Sequence, residues 1–347
     1  MRLFRHHTEI PVEARGAVVA LGNFDGVHLG HQKVIGEAAR LADELGVSCG
    51  VLTFEPHPRE FFQPDRPAFR LTPFRIKLRQ LEAIGVDYLY LLAFDRAMAK
   101  RSPESFIVEV LGQGIEPSQV VVGYDFVFGQ NRGGNAELLG DLGRAAGFAV
   151  TSVPAASDPA GVVYSSTKVR ERLGAGDPRG ASLLLGRPWE IEGRVETGDK
   201  RGRLLGFPTA NIALGDYLLP ALGVYAVKAG IDEGRGTRWL DGVANLGMRP
   251  TVGGRRIQLE VHLLDFAGDL YGRHLRVALI DFIRAERKFD GLDALKAQIA
   301  ADSAQARARL AHYDGPPPGH ATARLRRSAN SPQPANVYES ALRPNRK

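Results

Sequence analysis

Apolar residues recur along this chain in two different rhythms. From residue 17 to about 185, short apolar runs alternate with stretches whose apolar positions return every three or four residues. Ala17–Leu21, Cys49–Phe54, Tyr88–Phe94 and Val120–Val122 read as strands. His31–Leu45, Pro73–Ile84, Pro103–Leu111 and Asn135–Ala146 read as the helices between them. Strand–helix alternation at this spacing predicts a parallel sheet covered by helices. After about Gly186 the strands follow one another directly: Glu190–Thr197, Val224–Ala229, Gly242–Asn245, Ile257–Leu263 and Leu275–Ile283. One long helical pattern, Leu292–His312, closes the series. That half predicts a small antiparallel β-barrel with a C-terminal helix.

Composition refines this picture. A length of 347 residues suits two domains. The Gly- and Pro-rich stretch Gly174–Pro188 sets their boundary, giving domains at 1–186 and 187–313. The one cysteine, Cys49, rules out an intramolecular disulfide framework and reads as a buried strand residue. The start, MRLFRHHTEI, lacks an apolar core and argues against a secretory signal. No apolar stretch reaches the roughly 18–20 residues that span a bilayer. The expectation is a cytoplasmic protein, with no membrane partner, acting as a monomer or weak homo-oligomer.

The formal net charge of +6 would invite a nucleic-acid reading, but the charge is unevenly placed. Residues 314–347 hold six basic residues against two acidic ones, together with six prolines and no periodicity. Such a segment cannot bury enough apolar surface to offset chain entropy, so it is expected to be a disordered basic tail. The rest of the chain is close to neutral, and no nucleic-acid partner is expected.

Residues 22–31 read GNFDGVHLGH, after the first strand and into the first helix. Gly22, Gly26 and Gly30 allow a tight turn and close approach to a ligand. The helix start offers unpaired N–H groups and partial positive charge, which suit an anion. His28 and His31, three apart, can face one side of that junction and donate hydrogen bonds to phosphate oxygens. The segment is neither a Walker loop nor a GxGxxG fingerprint. It resembles the HxGH signature of the nucleotidyltransferase superfamily, which moves a nucleoside monophosphate out of a triphosphate. SSTKVR, at residues 165–170, opens a second helix with hydroxyls at its cap and Arg170 one turn on. Beside an HxGH loop it looks like the SSTxxR motif that closes over ATP phosphates. TFEPHP (53–58) and VVGYDFVFG (121–129) follow two further strands, at the strand ends where open α/β sheets bind ligands. Phe54 and Phe126 read as core residues, and Asp125 as a substrate-hydroxyl ligand or a turn former.

The second half carries its own chemistry. GDKRGRLLGFPTAN (198–211) is a Gly-rich basic loop, with Lys200, Arg201 and Arg203, suited to covering polyphosphate. Thr209 and Asn211 offer two hard oxygens on one side of an extended segment, the donor type that Mg²⁺ accepts alongside phosphates. In Ile257–Leu263, apolar residues alternate with Gln258, Glu260 and His262, so Glu260 points out of the core. There it could take a proton from a hydroxyl attacking a γ-phosphate.

GFPTAN (206–211), GVYAV (223–227), ANLGMRPT (244–251), EVHLLDF (260–266), DLYG (269–272) and RAERKF (284–289) occur in that order. Together they resemble the riboflavin kinase module. Joined to the N-terminal GNFDGVHLGH half, the chain over about 16–313 is similar to the bifunctional bacterial riboflavin kinase/FAD synthetase family. That resemblance implies a Rossmann-like nucleotidyltransferase domain before a riboflavin kinase barrel. It implies phosphorylation of riboflavin to FMN by MgATP, then adenylylation of FMN to FAD with release of pyrophosphate. In this reading Glu260 is the general base, and Thr209 and Asn211 hold Mg²⁺. His28, His31, Ser165, Ser166, Thr167 and Arg170 handle phosphates. Gly22, Phe24, Asp25 and Gly206 shape the ATP sites. His57, Asp125, Phe128 and Asn245 contact flavin. Two other readings compete with it. One is a single-activity nucleotidyltransferase with an inert barrel, against which GFPTAN and EVHLLDF count. The other is a flavin- or RNA-binding module using the tail, which holds a single aromatic residue, Tyr338.

Overall fold

The structure, a computed structural model, describes residues 1–197, 206–234, 236–251 and 254–319. The basic part of the GDKRGR loop (Gly198, Lys200, Arg201, Gly202, Arg203) and residues 320–347 of the expected tail lie outside the described residues. The chain divides into two compact units. One comprises Met1–Arg66 and Lys77–Tyr164; the other comprises Pro67–Ile76 and residues 165–319.

The first unit is a six-stranded parallel sheet built from β1 (Arg2–Phe4), β2 (Val18–Leu21), β3 (Cys49–Glu55), β4 (Tyr88–Ala93), β5 (Gln119–Gly123) and β8 (Ala149–Val153). A short hairpin, β6 (Val127–Phe128) with β7 (Gly134–Asn135), follows β5. The sheet order is β1-β4-β3-β2-β5-β8, and every pairing is parallel. Strands added after β2 go first to one side and then to the other, so the order reverses at β2. Val18, Val19, Ala20 and Leu21 are all buried, as a strand covered on both faces requires. The helix expected at Pro103–Leu111 starts at Pro103, capped by Ser102, and continues in a wider π-helical form to Ile115. Cys49 is buried in β3, as expected.

The second unit is an antiparallel sheet of β9 (Trp189–Arg194), β10 (Ala210–Ala213), β11 (Gly223–Asp232), β12 (Thr237–Thr251), β13 (Gly254–Leu263) and β14 (His274–Ala285). Its order is β10-β13-β12-β11-β14-β9, and a bridge between Glu196 and Asn211 joins the two edges into a barrel. Alternation sorts the residues: Ile212, Leu259, Val261, Ala244, Leu246, Tyr225 and Val227 are buried inside. Val224, Ala226, Val243, Ala278 and Ile280 face outward and pack with Ala306 and Leu310 of the C-terminal helix Leu292–Ala311. Arg284 and Asp302 fasten that helix through a two-pronged ion pair, with Nη2 2.7 Å from Oδ2.

The helices Ser166–Gly174 and Pro178–Leu185, which the sequence groups with the first domain, pack in the second unit, where Ala221 N donates to Leu173 O at 3.0 Å. The Gly- and Pro-rich composition there serves helix ends: Asp177 caps, Pro178 opens, and Gly186, with φ of 72°, closes. Residues 314–319, which the sequence assigns to the tail, are in contact with the barrel unit. Tyr313 Oη donates to Pro316 O at 2.8 Å, and Gly319 N donates to the buried Glu190 carboxylate at 2.6 Å.

Candidate active sites

In the first unit, the GNFDGVHLG turn leaves β2 at the point where strand order reverses, the place where open parallel sheets bind ligands. The turns after β3 and β5, carrying His57 and Asp125, leave the two strands that flank β2. The turn is buried from Phe24 to His28, with Asn23 exposed, and it is conformationally strained. Phe24 and Val27 have left-handed φ values of 49° and 43°, which bulky side chains rarely adopt. Gly26, at φ 92°, takes a conformation only glycine accepts easily. Gly22 acts instead through space: a Cβ there would lie 3.2 Å from the Phe24 ring. Phe24, Asp25, Val27 and His28 are all buried. Gln32 Nε2 donates to Val27 O at 2.9 Å and holds the turn's last strained residue.

His28 caps the helix α1 (Leu29–Leu45), its Nδ1 accepting from His31 N at 3.2 Å. A neutral His28 therefore carries its proton on Nε2. The His28 and His31 rings stack with centroids 3.6 Å apart, and Phe24 meets His31 edge-on at 5.2 Å. Two imidazoles and a helix N-terminus thus share one place, as the spacing predicts. His57 is a cap as well: its Nδ1 accepts from Arg59 N at 3.1 Å, and its own N–H donates to Glu60. Asp125 is exposed in the turn after β5. Phe128 stacks on Phe126 at 5.4 Å, and both pack against the unit's core along with Phe54.

In the second unit, Ser165 caps the helix Ser166–Gly174, its Oγ accepting from Lys168 N at 3.3 Å. Thr167 is exposed in the first turn. Arg170 Nε donates to Phe69 O at 3.0 Å, and its guanidinium lies 5.3 Å from the Phe69 ring centre.

The barrel aligns the other candidates. Asn211 pairs in register with Glu260, and Glu260 with Asn245. The three sit side by side on β10, β13 and β12, all on the outer face. Directly opposed Cβ atoms in such pairs are roughly 4.5–5.5 Å apart. Asn211 is buried; Glu260 and Asn245 are partly exposed. Thr209 and Asn211 line a cavity of about 280 Å³, whose wall also includes Phe266–Tyr271, the segment containing DLYG. Gly206 takes φ of 88° in open space at the entry to this strand. His262, read from the sequence only as a polar position, has a definite partner: Nδ1 lies 2.9 Å from Pro208 O, and its ring meets Phe207 edge-on. Pro208 O can only accept, so His262 Nδ1 carries the proton.

Among the described residues no group of three or more His, Cys, Asp or Glu side chains could cage a metal. The donors present are a hydroxyl, an amide oxygen and one neighbouring carboxylate. That set fits Mg²⁺ in its usual enzymatic setting, where substrate phosphates complete the coordination.

A glycine-rich turn feeding a histidine-bearing helix at a sheet's switch point, together with a barrel that aligns a carboxylate beside oxygen donors, defines an enzyme of nucleotidyl and phosphoryl transfer. Known proteins agree. The FAD synthetase family model matches residues 10–168, and the riboflavin kinase family model matches residues 185–310. The bifunctional riboflavin kinase/FMN adenylyltransferase of Escherichia coli (strain K12) is 44% identical over 308 residues, spanning 88% of this chain and 97% of that protein. The Bacillus subtilis (strain 168) protein of the same name is 39% identical over 307 residues, spanning 87% and 94%. A solved structure described as a macrolide-efflux protein from Streptococcus pneumoniae superposes with a TM-score of 0.78 at 32% identity, covering 88% of this chain and 98% of that one. Here, no helix among the described residues is long and apolar enough to cross a membrane. The chain belongs to the bifunctional riboflavin kinase/FMN adenylyltransferase family.

Proposed function

We propose that this protein converts riboflavin to FMN in its barrel and FMN to FAD at the sheet's switch point, using ATP for both steps. The modules would be 1–186 and 187–313, a boundary drawn close to the start of the riboflavin kinase match. The observation that carries the kinase reading is the row Asn211–Glu260–Asn245, with Thr209 and Asn211 opening on the cavity. The ribityl 5′-hydroxyl forms a bond to the γ-phosphorus as the bond to the ADP oxygen breaks. Glu260 takes the hydroxyl proton. Thr209 and Asn211 are the residues that would hold Mg²⁺, which neutralises phosphate charge when bound. Asn245, beside Glu260, orients the flavin chain, and Gly206 admits the phosphates.

In the other module an FMN phosphate oxygen attacks the α-phosphorus of ATP, and pyrophosphate leaves. The His28 Nε2–H, His31 and the first amides of α1 receive the charge that develops on the leaving group. Gly22, Phe24 and Asp25 shape the loop. Ser165, Ser166, Thr167 and Arg170 bind phosphate oxygens, and His57, Asp125 and Phe128 contact the flavin. No covalent enzyme intermediate is required. The protein is placed in the cytoplasm in this reading. The test is direct: riboflavin, ATP and Mg²⁺ are incubated with the protein and the flavins separated by chromatography. FMN and then FAD should accumulate; formation of neither overturns the reading.

A further inference from the structure

A lysine occupies the core-facing stripe of the helix Phe74–Ile84. Lys77, Gln80, Leu81 and Ile84 fall at positions i, i+3, i+4 and i+7, and all four are at most 1% exposed. An ammonium at such a position is unfavourable, and a methionine of similar shape would pack there without desolvating a charge. Lys77 Nζ donates to Asn23 O at 2.9 Å. The same carbonyl accepts a second hydrogen bond from Thr53 Oγ1, fully buried near the end of β3, at 3.2 Å.

The Asn23 carbonyl belongs to the peptide plane that enters Phe24. Fixing that plane from two elements at once restrains the φ of Phe24, which stands at 49° in the left-handed region. Strained conformations of this kind persist only where their surroundings over-determine them. The Phe24 ring in turn lies against His31 and fills the space beside Gly22. The contacts run without a break from Lys77 to the Asn23 carbonyl, to Phe24, and to the histidine pair.

We propose that Lys77 is a positioning residue for adenylyl transfer, its buried ammonium holding the Asn23 carbonyl so that the Gly22–Gly30 turn and His31 are aimed at the triphosphate. This rests on the adenylyltransferase reading of that turn. Thr53 is the second support of the same carbonyl. Neither side chain needs to touch substrate.

The test compares Lys77→Met and Thr53→Val with the natural protein. FAD formation from supplied FMN and ATP is followed alongside FMN formation from riboflavin and the thermal melting curve. For Lys77→Met, kcat for FAD formation should fall roughly 10–100-fold, the scale of an ångström-size misplacement. Riboflavin phosphorylation should stay within about twofold, and both rates are compared well below the melting temperature of each variant. A role in packing alone would lower the melting temperature and leave kcat unchanged well below it. Thr53→Val should give a smaller loss of the same kind, and the double variant should lose less than the product of the single losses, since both donors serve one carbonyl. A folded Lys77→Met protein making FAD at the natural rate overturns the proposal. If Lys77→Met does not fold, Thr53→Val decides: a natural rate there overturns it equally. Absence of FAD formation in the natural protein would instead count against the adenylyltransferase reading itself.

Discussion

Gly30 offers a sharp test of how tightly the histidine pair is held. It is the second residue of α1 and has an ordinary helical conformation, so alanine meets no backbone strain there. Helix propensity alone favours the change by about 0.5–1 kcal/mol. Space opposes it. The new Cβ would lie 3.0 Å from the Tyr164 carbonyl oxygen and 3.1 Å from Cε1 and Nδ1 of His28. Relaxed contacts need roughly 3.5–4.0 Å. The carbonyl is backbone, so the imidazole has to give way by roughly half an ångström, and its Nδ1 is the acceptor that caps α1. Overpacking of this kind costs about 1–3 kcal/mol. Set against the propensity gain, the net loss of stability is at most about 2.5 kcal/mol, and the protein stays folded. Activity should be hit harder, because displacing a positioned catalytic group by a fraction of an ångström costs roughly tenfold or more. The assay measures FAD from FMN and ATP, FMN from riboflavin and ATP, and a melting curve, all on Gly30→Ala. FAD formation should drop roughly 10–100-fold while FMN formation holds. A folded Gly30→Ala protein that makes FAD at the natural rate would refute the idea that His28 is held rigidly for catalysis. An equal loss of both activities would refute the assignment of this turn to adenylylation alone.

Three further expectations concern other parts of the molecule. Glu260→Gln keeps the shape of the row on the barrel face but removes the proposed base, so riboflavin phosphorylation should fall by about 10²–10⁴; FAD formation from supplied FMN should survive, and its loss in a folded variant would show that the sites are not separate. His262→Ala removes a hydrogen bond to Pro208 O worth about 0.5–1.5 kcal/mol and should weaken MgATP in the kinase reaction roughly 3–10-fold. His262→Asn should recover part of the loss, and an unchanged KM for MgATP in the alanine variant would refute the idea that His262, through Pro208 O, holds the neighbouring Thr209 in place. Tyr90, fully buried with its hydroxyl donating to Ala14 O at 2.6 Å, has its phenol pushed up by burial, with smaller contributions from Tyr88 and Cys49. The folded state then favours the neutral phenol: its contribution is complete below about pH 10, the unfolded value, and declines as pH rises through the folded one. Urea unfolding across that range should show stability falling above about pH 10 in the natural protein and falling less steeply in Tyr90→Phe; equal slopes would contradict this.

Much of the site was legible because its residues are neighbours in sequence. The apolar run of β2, followed by glycines and two histidines three apart, locates the turn, and the stacking of His28 on His31 follows from that spacing once α1 begins at Leu29. The alternation around Glu260 placed it on the outer face for the same local reason. Elements with little local signal were missed. β1 (RLF), β8 (AVTSV) and β10 (ANIA) mix apolar with polar or small residues over three to five positions, so no apolar run like that of β2 marks them. His262 could have been singled out, since it shares a strand face with Glu260, but its partner Pro208 lies 54 residues away.

The chain's own pattern thus determined two architectures, the strand ends that carry chemistry, and the residue types available there, because side-chain period and turn chemistry are local properties. The tertiary structure alone decided which residues meet. Register brought Asn211 and Asn245 to either side of Glu260, and sheet order made β2 the switch point. It also put Lys77 under the Asn23 carbonyl, 54 positions away in the chain. Those relations join segments far apart in sequence, and only the packing of one element against another selects them.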